Sequence, residues 1–422
     1  MREMKDSGIE WVGQIPKDWD VVPHKRVMHK VKKICEQYSG EDIISLTMNG
    51  VIKRDLTAGG KMPTSFDGYQ YVKPNDLLLC LFDIDVTPRC VGVVKDYGVT
   101  SPAYSRFVMH DGYYNAYYDY LLRAIDDDKV FVHLSKNLRS SLTESDFGAI
   151  KTCVPSLAEQ KRIVTFLDAQ CAEIDAVLEK TRASIEEYKK LKQAVITQAV
   201  TKGIRGDRPM KDSGIEWIGD IPAEWNKDKV IRVFSVIGSG TTPKSSDENL
   251  FDGNTPWIQS GDINGENLLV TKNCVSNSAI ESYSALRVYQ APYLVVAMYG
   301  ASVGNLSLSM IDACVNQACC VLKKPTINLK FSFYIFKAVK DYLARKAVGG
   351  GQPNISQETI KQLWLPIPSA DEQIEISNYL DEKCRSVDAL IAKKQQYLTE
   401  IENYKKSLIY EYVTGKKEVH PL

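Results

Sequence analysis

The sequence predicts an α+β protein made by tandem duplication, with two mixed α/β domains separated by two long antiparallel helices that form a coiled coil. Three observations predict it: a repeated opening motif, a repeated helical tail, and strand-rich segments of unlike sequence between them. The duplication implies an internal pseudo-twofold relation between two copies of one frame. The 422 residues also exceed what a single core usually holds.

The opening motif is the clearest repeat. Residues 4–16 read MKDSGIEWVGQIP, and residues 210–222 read MKDSGIEWIGDIP, with 11 of 13 positions identical. Trp19 and Trp225 then follow at the same distance from each motif. Chance does not produce a match of this kind, so each motif marks the start of one structural unit.

The tails repeat as well, with Pro155 matching Pro368 and 15 identities along residues 155–201. Apolar residues recur at alternating steps of three and four in both tails, which is the period of a coiled-coil seam. The first seam consists of Ile163, Leu167, Cys171, Ile174, Leu178, Thr181, Ile185 and Tyr188. The second consists of Ile376, Leu380, Cys384, Val387, Ile391, Leu398, Ile401 and Leu408.

Each tail lacks proline and glycine until Gly203 or Gly415, so each predicts one helix of about 40 residues, roughly 60 Å long. Two separate surface helices would give the same periodicity. Because both copies carry one seam, we expect the helices to pack against each other. The predicted boundaries are a first domain at 1–156, a central helix at 157–203, a second domain at 204–369 and a C-terminal helix at 370–422.

The segments between motif and tail predict mixed α+β domains. Short apolar runs such as 76–86, 293–299 and 318–322 are typical of strands, and glycine-rich turns separate them. The two segments show no obvious similarity to each other. The frame therefore repeats while the domain it carries differs, which predicts two different binding surfaces.

The composition excludes several classes of protein. No apolar run is long enough for a membrane span and no secretory signal is evident, so we expect a cytoplasmic protein without membrane contact. Ten cysteines without a CxxC pair indicate reduced thiols. Lys and Arg total 53 and so do Asp and Glu, so any basic surface for nucleic acid must be local.

We expect no catalytic residue, no metal site and no cofactor in this chain. The segment 236–240 begins like a dinucleotide-binding loop, but Pro243 takes the place of the third glycine. The sequence has no phosphate-binding GxxxxGK[ST] motif and no HExxH. Asp83 and Asp85 could form a metal pair, although a structural role in an apolar strand is the simpler interpretation.

Donor side chains in the loops predict contacts to phosphates and base edges. The basic run 24–33 is also typical of a solvated face. In the first domain the candidates are Lys25, Arg26, Lys53, Arg54, Arg89, Tyr104, Arg106 and Arg139. In the second they are Thr242, Lys244, Ser245, Gln259, Ser260, Asp262, Asn316, Gln317, Gln352 and Asn354.

The whole arrangement resembles the specificity subunit of type I restriction-modification systems. The resemblance lies in the opening motifs, in the P-S-x-x-E-Q start of each tail and in the Val-Thr close at Val200 and Val413. Segments 256–258, 261–263 and 351–356 of the second domain also look like that family's recognition pattern. The first domain departs from it, because Ser101 to Tyr104 stand roughly where an Asn-Gln pair would be expected.

The resemblance implies two target recognition domains, each reading one half of a bipartite asymmetric site in double-stranded DNA, with the helices setting the spacer. It implies two methyltransferase subunits docked on the helices and added restriction subunits for translocation and cleavage. S-adenosylmethionine, ATP and magnesium would then bind on those partners. Exchanging residues 17–153 should change one half-site, and lengthening the helix after Asp175 should change the spacer.

Two other functions fit parts of the sequence. A non-catalytic scaffold could bind proteins or peptides through its two domains and use the coiled coil as a spacer. A duplicated enzyme is disfavoured by the missing catalytic motifs. The salt dependence of binding distinguishes the protein-binding scaffold from a DNA-binding protein, because affinity for DNA falls steeply with ionic strength.

Overall fold

The computed structural model describes residues 2–48, 50–57, 63–87, 89–135, 140–347 and 353–419. The chain divides into two compact units, of which unit 1 comprises Met1–Arg182 with Gln396–Leu422 and unit 2 comprises Ala183–Gln395. None of the described helices combines the length and apolar character that a membrane span needs. Each unit holds one mixed α+β domain and a part of each long helix.

In its described residues, the domain of unit 1 is built from short antiparallel strands and three α-helices. Its largest sheet has four strands in the order β4-β11-β8-β9. The strands are β1 Met4–Asp6, β2 Gln14–Pro16, β3 Asp20–Pro23, β4 Met28–Lys30, β5 Ile44–Thr47, β6 Gly50–Lys53, β7 Gln70–Val72, β8 Leu77–Leu79, β9 Val91–Val93, β10 Gly98–Thr100, β11 Ser105–Met109 and β12 Lys151–Val154. The helices are α1 Asn115–Asp127, α2 Val130–Leu134 and α3 Glu144–Ala149, followed by the long helix α4 Leu157–Lys202.

The domain of unit 2 has a larger sheet of five strands in the order β16-β23-β20-β21-β18, beside a three-stranded sheet β19-β17-β22. The strands are β13 Met210–Asp212, β14 Asp220–Pro222, β15 Asn226–Lys229, β16 Phe234–Gly238, β17 Thr255–Ile258, β18 Asn267–Leu268, β19 Asn273–Val275, β20 Tyr293–Ala297, β21 Leu306–Ser309, β22 Cys314–Val315, β23 Cys319–Pro325 and β24 Trp364–Ile367. The helices are α5 Val230–Val233, α6 Asn277–Ser282, α7 Leu329–Lys346, α8 Gln357–Lys361 and the long helix α9 Ala370–Val413.

The two long helices run antiparallel within each unit, as the sequence predicts. In unit 1, Asp175 pairs with Lys405 at 2.6 Å and Arg182 pairs with Glu402 at 2.7 Å. In unit 2, Lys192 pairs with Asp388 at 2.6 Å, and Arg205, just past the end of α4, pairs with Glu375 at 2.8 Å. Partner numbers on α9 fall as those on α4 rise, which fixes the direction. Each exposed ion pair contributes little free energy. The pairs therefore show how α4 and α9 are aligned, but they do not determine that alignment.

The ends of the seams pack into the domains, which periodicity could not reveal. Ile163 and Leu167 belong to the core of unit 1. Ile376 and Leu380 belong to the core of unit 2. The middle of the α9 seam, such as Ile391, is only half-buried. The unit division cuts both helices internally, so the predicted domain boundaries at 156, 203 and 369 stay predictions.

The repeated opening motifs fold into matching hairpins. Strand β1 pairs with β2 so that Met4 faces Pro16, and β13 pairs with β14 so that Met210 faces Pro222. Each hairpin has two glycines at positive φ, Gly8 and Gly13 in one, with φ of 64° and 70°. A side chain would strain the backbone there, which explains why glycine recurs at these positions in both copies.

Each hairpin is held to the start of a long helix by the repeated tryptophan. Trp225 donates from Nε1 to Oε2 of Glu372 at 2.9 Å. Both side chains are buried, and Arg208 pairs with the same carboxylate at 2.6 Å. Tail residue Gln373 donates to the Pro368 carbonyl at 2.9 Å. The repeated residues thus hold the frame together, and this explains their identity in two copies that carry unlike domains.

Candidate nucleic-acid interface

The second domain gathers polar side chains at one edge of its sheets. The loop after β22 carries Asn316, whose N–H donates to the Ile258 carbonyl at 3.0 Å, so the ends of β17 and β22 lie together. Thr242 Oγ1 donates to Gln317 Oε1 at 2.6 Å, and both side chains are exposed. Three predicted residues from two separate loops therefore meet at this edge.

The loop 239–242 approaches the backbone of Val315 so closely that only glycine fits at its centre. A Cβ added to Gly240 would lie 1.7 Å from the Val315 carbonyl oxygen. Ser239 Oγ also donates to the Gln317 carbonyl at 3.3 Å. The glycine therefore brings Thr242 and Gln317 within hydrogen-bonding distance, which is a positioning role and not the nucleotide-loop role weighed from the sequence.

The turn 259–262 is ordered by its own side chains. The N–H of Gln259 donates to Asp262 Oδ2 at 2.9 Å, and the N–H of Lys272 donates to Asp262 Oδ1 at 3.3 Å. Asn273 Nδ2 donates to Gln259 Oε1 at 2.6 Å. Asp262 thus stabilises the turn, while Gln259 and Ser260 lie half-buried at its surface.

The remaining predicted residues of the second domain adjoin this edge. Asn354 is exposed and forms a β-bridge with Tyr299, next to Met298, whose N–H donates to the Ala318 carbonyl at 2.8 Å. Lys244 and Ser245 are exposed on the loop after Thr242, and the N–H of Lys244 donates to the Tyr283 hydroxyl oxygen at 3.1 Å. Gln352 lies outside the described residues. We name this set of loops, 239–245, 259–262, 316–318 and 353–355, the polar edge.

Sequence reasoning missed Arg287. Its Nε donates to the Tyr289 hydroxyl at 2.8 Å, and that hydroxyl donates to the Ser239 carbonyl at 3.0 Å. The guanidinium lies over the Tyr289 ring at 5.0 Å and is exposed. This places a cation next to the polar edge. The alternation Arg287-Val288-Tyr289 could have indicated it, because residues two apart on an extended segment share a face.

In the first domain the predicted residues fall into separate places. Arg89 supports the β5–β6 hairpin by donating from Nη1 to the Met48 carbonyl at 2.9 Å, and burial lowers the pKa of this arginine. Arg89 and Tyr104 line one cavity of about 340 Å³ beneath the hairpin. Lys53 pairs with Asp42 at 2.6 Å, and the N–H of Arg54 donates to the Ile43 carbonyl at 2.8 Å.

Lys25 and Arg26 are exposed on the turn 24–26. Lys25 lines a different cavity of about 570 Å³ with Lys30 and Glu144, which pair at 3.3 Å. Arg139 lies outside the described residues. The first domain therefore offers two candidate patches, one at the hairpin and one at the turn 24–26, and no single edge that unites its predicted residues in the part of the chain described.

Arg106 needs a correction, because it is an interior residue. Its side chain is buried, with Nε donating to Asp76 Oδ2 at 2.6 Å and Nη1 donating to the Tyr71 carbonyl at 3.0 Å. Asp76 is equally buried. The side chain lies on β11 in the four-stranded sheet. A buried arginine there is stable only when it is paired with an opposite charge, which Asp76 supplies. This geometry does not favour contact between Arg106 and DNA.

The cysteines and acidic residues give no sign of a metal centre. All ten cysteines are free thiols, and Cys319 and Cys320 lie in β23 as the sequence predicts. Burial raises the pKa of both thiols to about 12. Among the described residues, no cluster of three or more His, Cys, Asp or Glu side chains could hold a metal ion.

A duplicated frame that carries two unlike domains, with polar loops gathered at a sheet edge, defines a two-domain binding protein. Residues 222–403 match the family model described as the type I restriction modification DNA specificity domain. The match covers the second domain and most of α9, and the predicted resemblance of the chain to type I restriction-modification specificity subunits is confirmed.

Individual relatives extend the similarity beyond the matched domain. The putative type I restriction enzyme MjaX specificity subunit of Methanocaldococcus jannaschii is 23% identical over 436 aligned positions, covering 97% of this chain and 96% of the relative. The EcoBI specificity subunit of Escherichia coli is 22% identical and covers 62% of this chain and 57% of that protein.

Two solved structures share the fold. A chain from a structure on complex assembly and conformational transition of the type I R-M system has a TM-score of 0.72, with 16% identity, 96% of this chain covered and 99% of that chain. The HsdS subunit from Thermoanaerobacter tengcongensis has a TM-score of 0.50 with 15% identity, covering 96% and 98% of the two chains. The mixed α+β architecture with two long helices is therefore a known fold.

Proposed function

We propose that this chain is the sequence-specific DNA-binding subunit of a type I restriction-modification complex, with each domain reading one half of a bipartite asymmetric DNA site. The observation that carries the proposal is the polar edge of the second domain. There Thr242, Gln317 and Gln259 come from three loops and present hydroxyl and amide groups, which pair with base edges. Arg287 adds a cation for a phosphate beside them.

The duplicated frame supports the assignment of one half-site to each domain. Two hairpins with the same register hold domains of different topology, and each hairpin is tied to its own long helix by a tryptophan, Trp19 to Glu159 and Trp225 to Glu372. An asymmetric target in two parts requires two different readers on one support. We assign specificity to the domains and spacing to the helices.

The partners follow from this assignment. Two methyltransferase subunits dock on the helical frame and supply S-adenosylmethionine binding and adenine N6 methylation, and restriction subunits supply ATP- and magnesium-dependent translocation and cleavage. This chain itself contributes no catalytic group and holds no cofactor. The complex works in the cytoplasm, where its DNA is.

Adenine methylation tests the proposal directly. The chain is expressed with its cognate methyltransferase subunit in a host without its own modification, and the genome is sequenced by a method that detects modified adenine. We expect one bipartite motif with a fixed gap, which disappears when this chain is omitted. Methylation that does not depend on this chain, in a complex shown to contain it, would favour the protein-binding scaffold.

A further inference from the structure

A basic groove runs along unit 2 beside the polar edge. Two adjoining cavities of about 940 and 800 Å³ share Lys189, Gln193 and Lys340 in their walls, so they form one continuous depression along α4 and α7. Together they are lined by eight Lys or Arg and five Asp or Glu residues. The whole chain is neutral, so this local excess of positive charge is a property of the groove.

Part of that charge forms no ion pair among the described residues. Lys192 pairs with Asp388, Lys330 with Asp381, and Lys189 with Glu186. In the part of the chain that the structure describes, no carboxylate pairs with Lys190, Lys337, Lys340 or Arg385. Lys337 lies over the Phe333 ring at 4.6 Å. Burial, and then the neighbouring Lys192, lower the pKa of Lys337, as expected where cations crowd together.

The groove is continuous with the polar edge through one short segment. The turn 259–262 belongs to the edge, and Asn264, Gly265 and Asn267 immediately after it line the groove. Asn305 Nδ2 donates to the Ile263 carbonyl at 3.4 Å and lines the groove as well. One segment, residues 259–267, therefore contributes to both the polar edge and the wall of the groove.

The matching surface of unit 1 is different. Tyr120 donates to Asp168 and Tyr334 donates to Asp381, both at 2.7 Å, so α1 and α7 occupy equivalent places in the two frames. Between α1 and the end of α9 lies a cavity of about 280 Å³ lined by Asp127, Asp128 and Lys406. Counting from the tyrosines, exposed Lys340 stands where unit 1 has Asp126, which is buried and accepts the Cys90 N–H at 2.7 Å.

We propose that the groove of unit 2 binds the DNA phosphate backbone next to the half-site read by the second domain, so that unit 2 supplies more sequence-independent affinity than unit 1. The inference rests on the proposed function. Two identical partner proteins would meet surfaces of different charge on the two units, one with Asp127, Asp128 and Lys406 and the other with the lysines of the groove. A polyanion such as DNA that binds at the polar edge needs only the basic surface of unit 2.

The test measures the salt dependence of DNA binding by the complex of this chain with its cognate methyltransferase subunit. The probe is a fluorescently labelled random-sequence duplex, which reports phosphate contacts without base readout. The double variant Lys190→Gln/Lys340→Gln removes two exposed charges from the groove. Its matched control, Lys383→Gln/Lys393→Gln, removes two exposed charges from α9 outside the groove.

We expect the slope of log affinity against log salt to fall by about 1.8 in the groove variant, and affinity at about 0.15 M salt to fall by about 30-fold, since each lost phosphate contact removes about 0.9 from the slope. The control should keep the wild-type slope. An unchanged slope in a folded groove variant overturns the inference. So does a variant that binds DNA normally but no longer binds the methyltransferase subunit, because the groove would then be a protein-docking surface. A wild-type complex that binds no duplex overturns the proposed function itself.

Discussion

Trp19 donates its indole N–H to Glu159 Oε2 at 3.0 Å, across 140 positions of sequence. Glu159 stands in the first turn of α4, so the bond ties the opening hairpin to the helix that follows the whole first domain. Trp225 and Glu372 repeat the arrangement in unit 2. The pair explains why the sequence keeps a tryptophan after the opening motif and a glutamate at the start of the tail in both copies.

Removing this bond should destabilise its unit. Trp225→Phe keeps the ring in the core but leaves the buried Glu372 carboxylate without its indole donor. We expect the free energy of unfolding to fall by about 2 kcal/mol, as for loss of a hydrogen bond to a charged group. Urea denaturation monitored by circular dichroism measures it. The matched control is Trp217→Phe, because Trp217 donates only to the neutral Trp364 carbonyl. Equal losses in both variants would contradict a special role for the Glu372 bond.

The interior role of Arg106 is testable by breaking and then replacing its ion pair. Arg106→Leu leaves Asp76 buried and uncompensated, and we expect a loss of about 3–5 kcal/mol in unfolding free energy. The double variant Arg106→Leu/Asp76→Leu should regain most of that loss, because no isolated charge remains. Thermal and urea unfolding of the three proteins measure the cycle. A double variant no more stable than Arg106→Leu would show that the arginine acts through something other than Asp76.

The polar edge should control one half of the DNA site. In the double variant Thr242→Ala/Gln317→Ala we expect relaxed recognition at one or two positions of a single half-site, with about 1–3 kcal/mol of discrimination lost per base contact. Sequencing of modified adenine in cells expressing the variant complex measures it. Ser235→Ala is the control, since Ser235 is exposed at the opposite end of β16 and donates to the Lys324 carbonyl. Changes in both half-sites would argue against independent domains.

Acid should weaken the first domain through His24. The side chain is fully buried, and burial lowers its pKa to about 4, with the Phe147 carbonyl near Nδ1 acting weakly in the other direction. In the unfolded chain a histidine has a pKa of about 6.5. The folded state therefore favours the neutral ring, and its contribution to stability is complete above pH ~6.5 and is lost as the pH falls toward ~4.

At pH ~5 this loss amounts to about 2 kcal/mol relative to pH ~7. The control is provided by the chain itself, because Val230 is the counterpart of His24: its N–H donates to the Leu363 carbonyl as that of His24 donates to the Ile150 carbonyl, both at 2.9 Å. His24→Val should lose less stability than wild type between the two pH values in urea denaturation. An identical pH dependence in both proteins would remove His24 as the cause.

The sequence predicted the architecture well because duplication supplies its own internal comparison. The opening hairpins, the long helices and their glycine ends at Gly203 and Gly415 all lie where the repeats placed them. The antiparallel direction of the helices also followed from the repeat. Periodicity could not say that Ile163 and Ile376 serve domain cores, since a seam of the same period packs equally well on a neighbouring helix or on a sheet.

The site was harder to predict, because a donor side chain looks the same in sequence whether it faces solvent or the core. Arg106 has the side-chain chemistry of a residue that contacts DNA bases, yet it lies in the interior, where it is paired with Asp76. Arg287 was missed because Tyr289 holds it beside Ser239, which lies 50 positions from Tyr289 in the chain. Long-range pairing decides both cases.

By itself, the sequence determined the duplicated frame, the helical tails and the class of protein, because periodicity and repeated motifs depend only on the order of residues along the chain. Only the tertiary structure decided which polar residues share an edge and which carry frame contacts. It also decided that equivalent surfaces of the two units differ in charge. Those properties arise where segments distant in sequence meet, and burial and charge pairing there are fixed by the three-dimensional neighbours of each side chain.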